Sequence, residues 1–163
     1  MFFADTFRAL DEAEIRYLVV GGVAVVLHGF VRATADLDLM VDFERSNLLR
    51  FLELMKSRGY RPKPPVPMEA FAEPENRRSW REEKGMKVFT ILHPGRLGEL
   101  VDVFSWEPIP FADAYARRLI VPMEGYSISV AAIEDLIALK RPVGRPQDLE
   151  DIKAMEARLR GPS

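Results

Sequence analysis

The sequence predicts an α/β (α+β) fold, a mixed and twisted sheet flanked by helices, and three observations carry that expectation. Residues 1–60 alternate strand-like and helix-like patterns. A second pair of strand-like runs, Val88 to Leu92 and Leu100 to Phe104, follows a proline-rich stretch. Two helical patterns then close the chain. Elements interleaved in this way pack as layers around one core, and 163 residues suffice for a single core. Residues 1–163 are therefore read as one domain in three stretches: 1–60, a proline-rich and basic insertion over 61–87, and 88–163.

The elements follow in chain order. Phe3, Phe7 and Leu10 recur at helical spacing, which predicts a helix over the first dozen residues, packed on a sheet that begins near Arg16. Tyr17 to Val20 is an apolar strand. It ends in Gly21-Gly22, a turn expected to lead into a short apolar helix from Val23 to His28 that Gly29 stops. A second strand runs from Asp36 to Val41, with Asp42 as a loop or cap residue. Ser46 is the expected N-cap of the next helix, whose Leu48, Phe51, Leu52 and Met55 fall at i, i+3, i+4 and i+7 before Gly59 ends it.

Pro62, Pro64, Pro65, Pro67 and Pro74 preclude one continuous helix after Arg61. The segment ENRRSWREEKGMK has two readings. Arg77, Arg78, Arg81, Lys84 and Lys87 with Trp80 could grip a triphosphate or stack a base; alternatively Glu73, Glu75, Glu82 and Glu83 neutralise a solvated face, which is the preferred reading. Val88 to Leu92 and Leu100 to Phe104 read as a hairpin joined by a HPGRLGE turn, with His93 a turn residue. Phe111 to Arg118 is a short helix and MEGYSISV a last extended piece, with Ser129 capping the helix that carries Ile133, Leu136, Ile137 and Lys140. In the final helix Asp148 and Asp151 occupy the first turn, and Leu149, Ile152, Met155 and Leu159 form the apolar side.

The chemistry is concentrated around the second strand. Side chains alternate across a strand, so Asp36 and Asp38 share a face while Leu37 and Leu39 take the other. Like charges so close repel unless a cation lies between them, and Mg²⁺ is usually held by one or two carboxylates together with waters and substrate phosphates. Gly21 and Gly22, ahead of a helix, suit a phosphate. Phosphate on one side and metal on the other implies a nucleoside triphosphate. Arg32 and Thr34 alternate into the same face, where the arginine either binds phosphate or holds the aspartates. Asp102 is the one charge in LVDVF and needs a partner, either the same metal or an arginine such as Arg32. Lys140 lies on the apolar side of its helix, so its stem snorkels or its amine meets the triphosphate or the acidic cluster.

Composition bounds the alternatives. A formal net charge of −2 means that a polyanion would need a local basic patch, such as the face from Arg77 to Lys87. The absence of cysteine excludes disulfides and a thiol nucleophile, and two histidines are too few for a histidine-rich metal centre. No apolar run reaches membrane-spanning length and no basic leader opens the chain, so a cytoplasmic protein without a membrane partner is expected.

Gly21-Gly22, then Arg32-x-Thr34-x-Asp36-x-Asp38, then Asp102 in LVDVFSW, and finally LIALKRPVGRPQDLEDI with Lys140, Arg145, Asp148 and Asp151, resemble the minimal nucleotidyltransferase fold, in particular the AbiEii/MenA-like bacterial toxins. The resemblance implies that Asp36, Asp38 and Asp102 are catalytic and hold Mg²⁺, with two metal ions. It also implies that Gly21, Gly22, Arg32, Thr34 and Lys140 bind nucleotide, and that Arg145, Asp148 and Asp151 support the site or the acceptor. The implied acceptor is a tRNA end, a protein hydroxyl or a small alcohol, and a cognate partner protein of toxin–antitoxin type fits. One departure stands in the closing motif, where Gln147 occupies the position of a lysine. Two other readings remain: a catalytically weak binding module or antitoxin partner on the same fold, and a haloacid-dehalogenase-like phosphatase, disfavoured because RATA rather than an apolar strand precedes Asp36.

Overall fold

The computed structural model describes residues 3–96 and 99–161. Among them, helix α1 (Ala4–Glu12) leads into strand β1 (Tyr17–Val20), helix α2 (Gly21–Leu27), strand β2 (Leu37–Val41) and helix α3 (Arg45–Ser57). A two-residue strand β3 (Arg61–Pro62), a 3₁₀ turn (Met68–Ala72) and helix α4 (Pro74–Lys84) occupy the insertion. Strands β4 (Val88–Leu92) and β5 (Leu100–Phe104), helix α5 (Phe111–Ala116), strands β6 (Leu119–Pro122) and β7 (Ser127–Val130), and helices α6 (Ile133–Lys140) and α7 (Pro146–Leu159) complete the chain.

Seven strands of the described residues form one mixed sheet in the order β3-β4-β5-β2-β1-β7-β6. β1 is antiparallel to β2 and parallel to β7, and β2 is parallel to β5. The expected α/β architecture is thus observed. The β4–β5 hairpin forms with Thr90 opposite Asp102, although Leu97 and Gly98 of its turn lie outside the described residues. β1 and β2 are buried on both faces apart from Asp38, whereas β4 and β5 alternate buried and half-buried residues. Phe7, Leu10, Phe51, Met55, Phe71, Phe89 and Ile91 are fully buried in the core.

Several local expectations are corrected. Helix α2 starts at Gly21, so the glycines form its first turn instead of preceding it. Glu44, not Ser46, caps α3, its carboxylate accepting from the backbone of Ser46 and Asn47. Ser129 lies within β7, and α6 begins after Ala132 without a side-chain cap. The C-terminal extended piece is a hairpin, because LIVP pairs as β6 with SISV. Leu149 and Leu159 are about half exposed, so the apolar side of α7 reduces to Ile152 and Met155 with the buried Asp148 and Asp151. The basic segment is a helix that is not wholly solvated. Arg77 and Trp80 are buried: Trp80 stacks on Phe89 with centroids 5.5 Å apart, and the Arg77 guanidinium lies 4.3 Å from the Phe43 ring centroid and donates to the Phe71 carbonyl.

Candidate active site

Asp36 stands one residue before β2 and Asp38 within it. Across the sheet Asp38 is in register with Val20 at the end of β1 and with Asp102 in the parallel strand β5. Residues in register on neighbouring strands point to the same face, so the third acid, sixty-odd positions away in sequence, stands beside the first pair. Burial, then the charge of Asp102, then that of Asp36 push the Asp38 carboxyl up from 3.8 to about 7, with Lys140 and Arg145 opposing. Asp38 is therefore a partly buried carboxyl around which the neighbouring negative charges outweigh the cations. Among the described residues no three acids or histidines converge into a ready metal cage. Asp36, Asp38 and Asp102 therefore do not form a preformed three-carboxylate site, and an ion such as Mg²⁺ would take one or two of them and complete its shell with water and phosphate.

The glycines have a steric task. Gly21 has φ +69, and a Cβ there would sit 2.1 Å from Asp38 Oδ2. At Gly22 a Cβ would lie 2.6 Å from Thr34 Oγ1 and 3.1 Å from the Arg32 guanidinium carbon. Bare backbone at both positions is what lets Asp38, Thr34 and Arg32 close over the start of α2.

Opposite the carboxylates, the start of α7 gathers the cations. Arg32 Nη1 donates to Asp151 Oδ2 at 2.6 Å, and Lys140 Nζ lies 3.1 Å from the same oxygen and 3.6 Å from Asp148 Oδ1. Arg145 Nε donates to Asp148 Oδ2 at 2.8 Å, and Gln147 Nε2 to Asp151 Oδ1 at 3.0 Å. Burial alone would raise the Asp148 carboxyl, but its hydrogen bond to Arg145 and the Arg145 charge win and hold it below the ordinary range. Lys140 is paired with Asp148 and Asp151, not with Asp36, Asp38 or Asp102, and its side chain is 8% exposed. Between this cluster and the carboxylates lies a cleft of about 480 Å³, bordered by Gly21, Gly22, the Arg32–Thr34 loop, Asp36, Asp38 and the first turn of α7.

One arrangement was not legible in the sequence. Asp102 is not paired with Arg32; Thr90 Oγ1 donates to its Oδ1 at 2.5 Å. Only the hairpin register, which places Thr90 opposite Asp102, could have signalled it. Asp42 accepts from Arg16 Nε and from the Glu44 backbone, as a cap. His28 is bonded through Nε2 to the Ala131 carbonyl, at the end of α2 away from the acids.

Residues 4–159 match the family described as nucleotidyltransferase of unknown function (DUF6036). The chain belongs to that nucleotidyltransferase family. Its fold is that of solved nucleotidyltransferases. The antibiotic-resistance factor ANT(2″)-Ia, in complex with adenylyl-2″-tobramycin, superposes with a TM-score of 0.59 at 18% identity, over 93% of this chain and 83% of that one. The lincosamide antibiotic adenylyltransferase LnuA, lincomycin-bound, gives 0.58 at 14%, over 90% and 89%. A putative nucleotidyltransferase from Thermotoga maritima gives 0.54 at 14%, over 97% and 96%. No curated protein matches this nucleotidyltransferase in sequence at a significant level. No described helix is long and apolar enough to cross a membrane.

Proposed function

We propose that this nucleotidyltransferase, acting as one domain in the cytoplasm, moves a nucleoside monophosphate from a nucleoside triphosphate, such as ATP, to a hydroxyl acceptor with Mg²⁺. The observation that carries the reading is the in-register pair Asp38–Asp102 beside Asp36, with Asp36 and Asp38 bordering a cleft that Arg32, Lys140 and Arg145 also line.

Asp36, Asp38 and Asp102 would hold Mg²⁺, which when bound supplies Lewis-acid stabilisation of the phosphate oxygens and of the attacking and leaving oxygens. Asp102 takes the acceptor's proton, its Oδ1 already fixed by Thr90. The acceptor oxygen forms a bond to the α-phosphorus as the bridging bond to pyrophosphate breaks, and pyrophosphate leaves. Arg32, Thr34 and Arg145 line the cleft on the triphosphate side. Arg145 has a largely exposed side chain and is the cation freest to follow the departing pyrophosphate, whereas Lys140 is buried against Asp148 and Asp151 and orients them.

Of the acceptor classes that the sequence leaves open, a small alcohol is favoured, because the structural neighbours are described with an adenylylated tobramycin and with lincomycin. The motif order resembling AbiEii/MenA-like toxins keeps a tRNA or protein acceptor and a cognate antitoxin in view. The test is transfer from nucleoside triphosphates radiolabelled at the α-phosphate, with Mg²⁺, into RNA, protein and small-molecule pools. Asp38→Ala and Asp102→Ala should each abolish transfer. Label that reaches the same pool with Asp38→Ala would remove the reading, and a wild type that binds Mg²⁺-nucleotide but never transfers it would favour a binding module.

A further inference from the structure

On the side of the sheet that carries Asp38, burial among the described residues is complete in β1 and ends within β2 at Asp38. There the residues that flank Asp38, Met40 within β2 and Leu18 and Val20 of β1, are all buried. In β4 and β5 only one face is buried, by Phe89, Ile91, Val101 and Val103. The other face is built from three cross-strand pairs, Val88 with Phe104, Thr90 with Asp102, and Leu92 with Leu100, and every one of these residues is half-buried. It starts at Asp102, beside Asp38, and runs outward to β3.

We propose that this open β4–β5 face is the acceptor subsite and that its acceptor is a small amphiphilic alcohol, the apolar body lying on Val88, Leu92, Leu100 and Phe104 and the hydroxyl reaching Asp102. The proposal rests on the nucleotidyl-transfer reading and names the substrate class of that site. Continuity is the first argument: the face adjoins the carboxylates on the side away from the Arg32–Lys140–Arg145 wall. Size is the second. Five residues on each of two strands, at a rise of about 3.3 Å and a spacing of about 4.8 Å, present on the order of 200 Å², far below the roughly 800 Å² per partner of a stable protein interface. Charge is the third. The face is apolar around one hydroxyl and one carboxylate, and the basic residues in register with it are Arg61, opposite Leu92, and Lys63, whose backbone N–H donates to the Thr90 carbonyl, both at the outer edge. A nucleic-acid backbone, whose affinity comes from several phosphate–cation contacts, finds among the described residues these two edge cations and none on the strand pairs themselves.

The test is a ¹³C-methyl NMR titration of the whole protein, with and without the non-hydrolysable Mg²⁺–AMPCPP. Three probes are compared: n-octyl β-D-glucopyranoside below its micellar concentration, D-glucose, and the trinucleotide CCA. Octyl glucoside should shift the Val88, Leu92 and Leu100 methyls saturably and leave Val31 and Ile120, exposed elsewhere, unmoved. Glucose and CCA should not shift them. Leu92→Lys should weaken the shifts by at least about tenfold, since the ammonium resists desolvation under an apolar body, and Leu100→Gln should do so more mildly. Nucleotide calorimetry reports that each variant is folded. Unmoved face methyls, equal shifts at Val31 and Ile120, or preferential binding of CCA would overturn the subsite. Failure of Mg²⁺–AMPCPP to bind the wild type would instead overturn the transfer reading and with it the acceptor role, so the two failures are distinguishable.

Discussion

At Gly21 a single methyl group probes the site. Alanine there adds a Cβ that would meet Asp38 Oδ2 at 2.1 Å in a backbone of φ +69, and the left-handed conformation alone costs an L-residue about 1–2 kcal/mol. Gly21→Ala is expected to lower the melting temperature and to reduce transfer at least about a hundredfold, as removal of a charge-stabilising group does. A variant with unaltered turnover would show that Asp38 is free to step aside. The two glycines and the Asp-x-Asp spacing were visible in the sequence, yet their relation was not. A glycine that admits a carboxylate and one that admits a phosphate look alike until the strands are paired. Thr90 makes the same point, since nothing local distinguishes it from any strand threonine before Asp102 is placed opposite it.

At the scale of elements, α7 holds the cationic wall through two buried carboxylates. Asp151→Asn weakens the partner of both Arg32 and the buried Lys140, which keeps Asp148 at 3.6 Å; since fully stranding a buried cation costs about 3–5 kcal/mol, urea denaturation should show a loss below that range but above about 1 kcal/mol. Arg78→Ala, which breaks only the exposed pair with Glu75, should change stability by less than about 1 kcal/mol. Helix α4 provides a sharper contrast with the sequence. Its many charges suggested a solvated face, but Arg77 and Trp80, three residues apart, share the side that packs on Phe43, Phe71 and Phe89. Trp80→Ala should cost about 3–5 kcal/mol, and a loss below 1 would mean that the helix is only loosely docked. The solvated reading holds for the exposed Glu75, Arg78, Glu82, Glu83, Lys84 and Lys87 and missed Arg77 and Trp80, because arginine can bury its planar head against aromatic rings, a choice that charge counting does not register. Strand β6 was missed for another reason: an edge strand pairs through its backbone, so Leu119–Pro122 need show no buried alternation.

For the whole molecule, pH and metal report the charge balance together. The Asp38 carboxyl is raised from 3.8 to about 7, so its contribution in the metal-free protein is complete below about pH 4 and is lost as pH rises through 7. That rise corresponds to at most about 4 kcal/mol. Tyr17 is raised to about 12, chiefly by burial, so a further loss sets in from pH 10 as the unfolded chain ionises first. Asp148, held low, withdraws stability as pH falls below the ordinary carboxylate range. Thermal melts without metal should therefore decline from pH 5 to 8, level off, and fall again above 10. Mg²⁺ at pH 8 should restore the wild type and leave Asp38→Asn unmoved; a wild type indifferent to Mg²⁺ would mean that no cation answers the deficit. The sequence by itself determined the alternation of strands and helices, the apolar core strands and the identity of the acids, because periodicity and burial cost are written in nearest neighbours along the chain. Only the tertiary structure decided which carboxylate meets which cation, that Gly21 makes room for Asp38, and that one face of the β4–β5 hairpin stays open. Those depend on register and on the order of strands in the sheet, which pair residues as distant as Asp38 and Asp102.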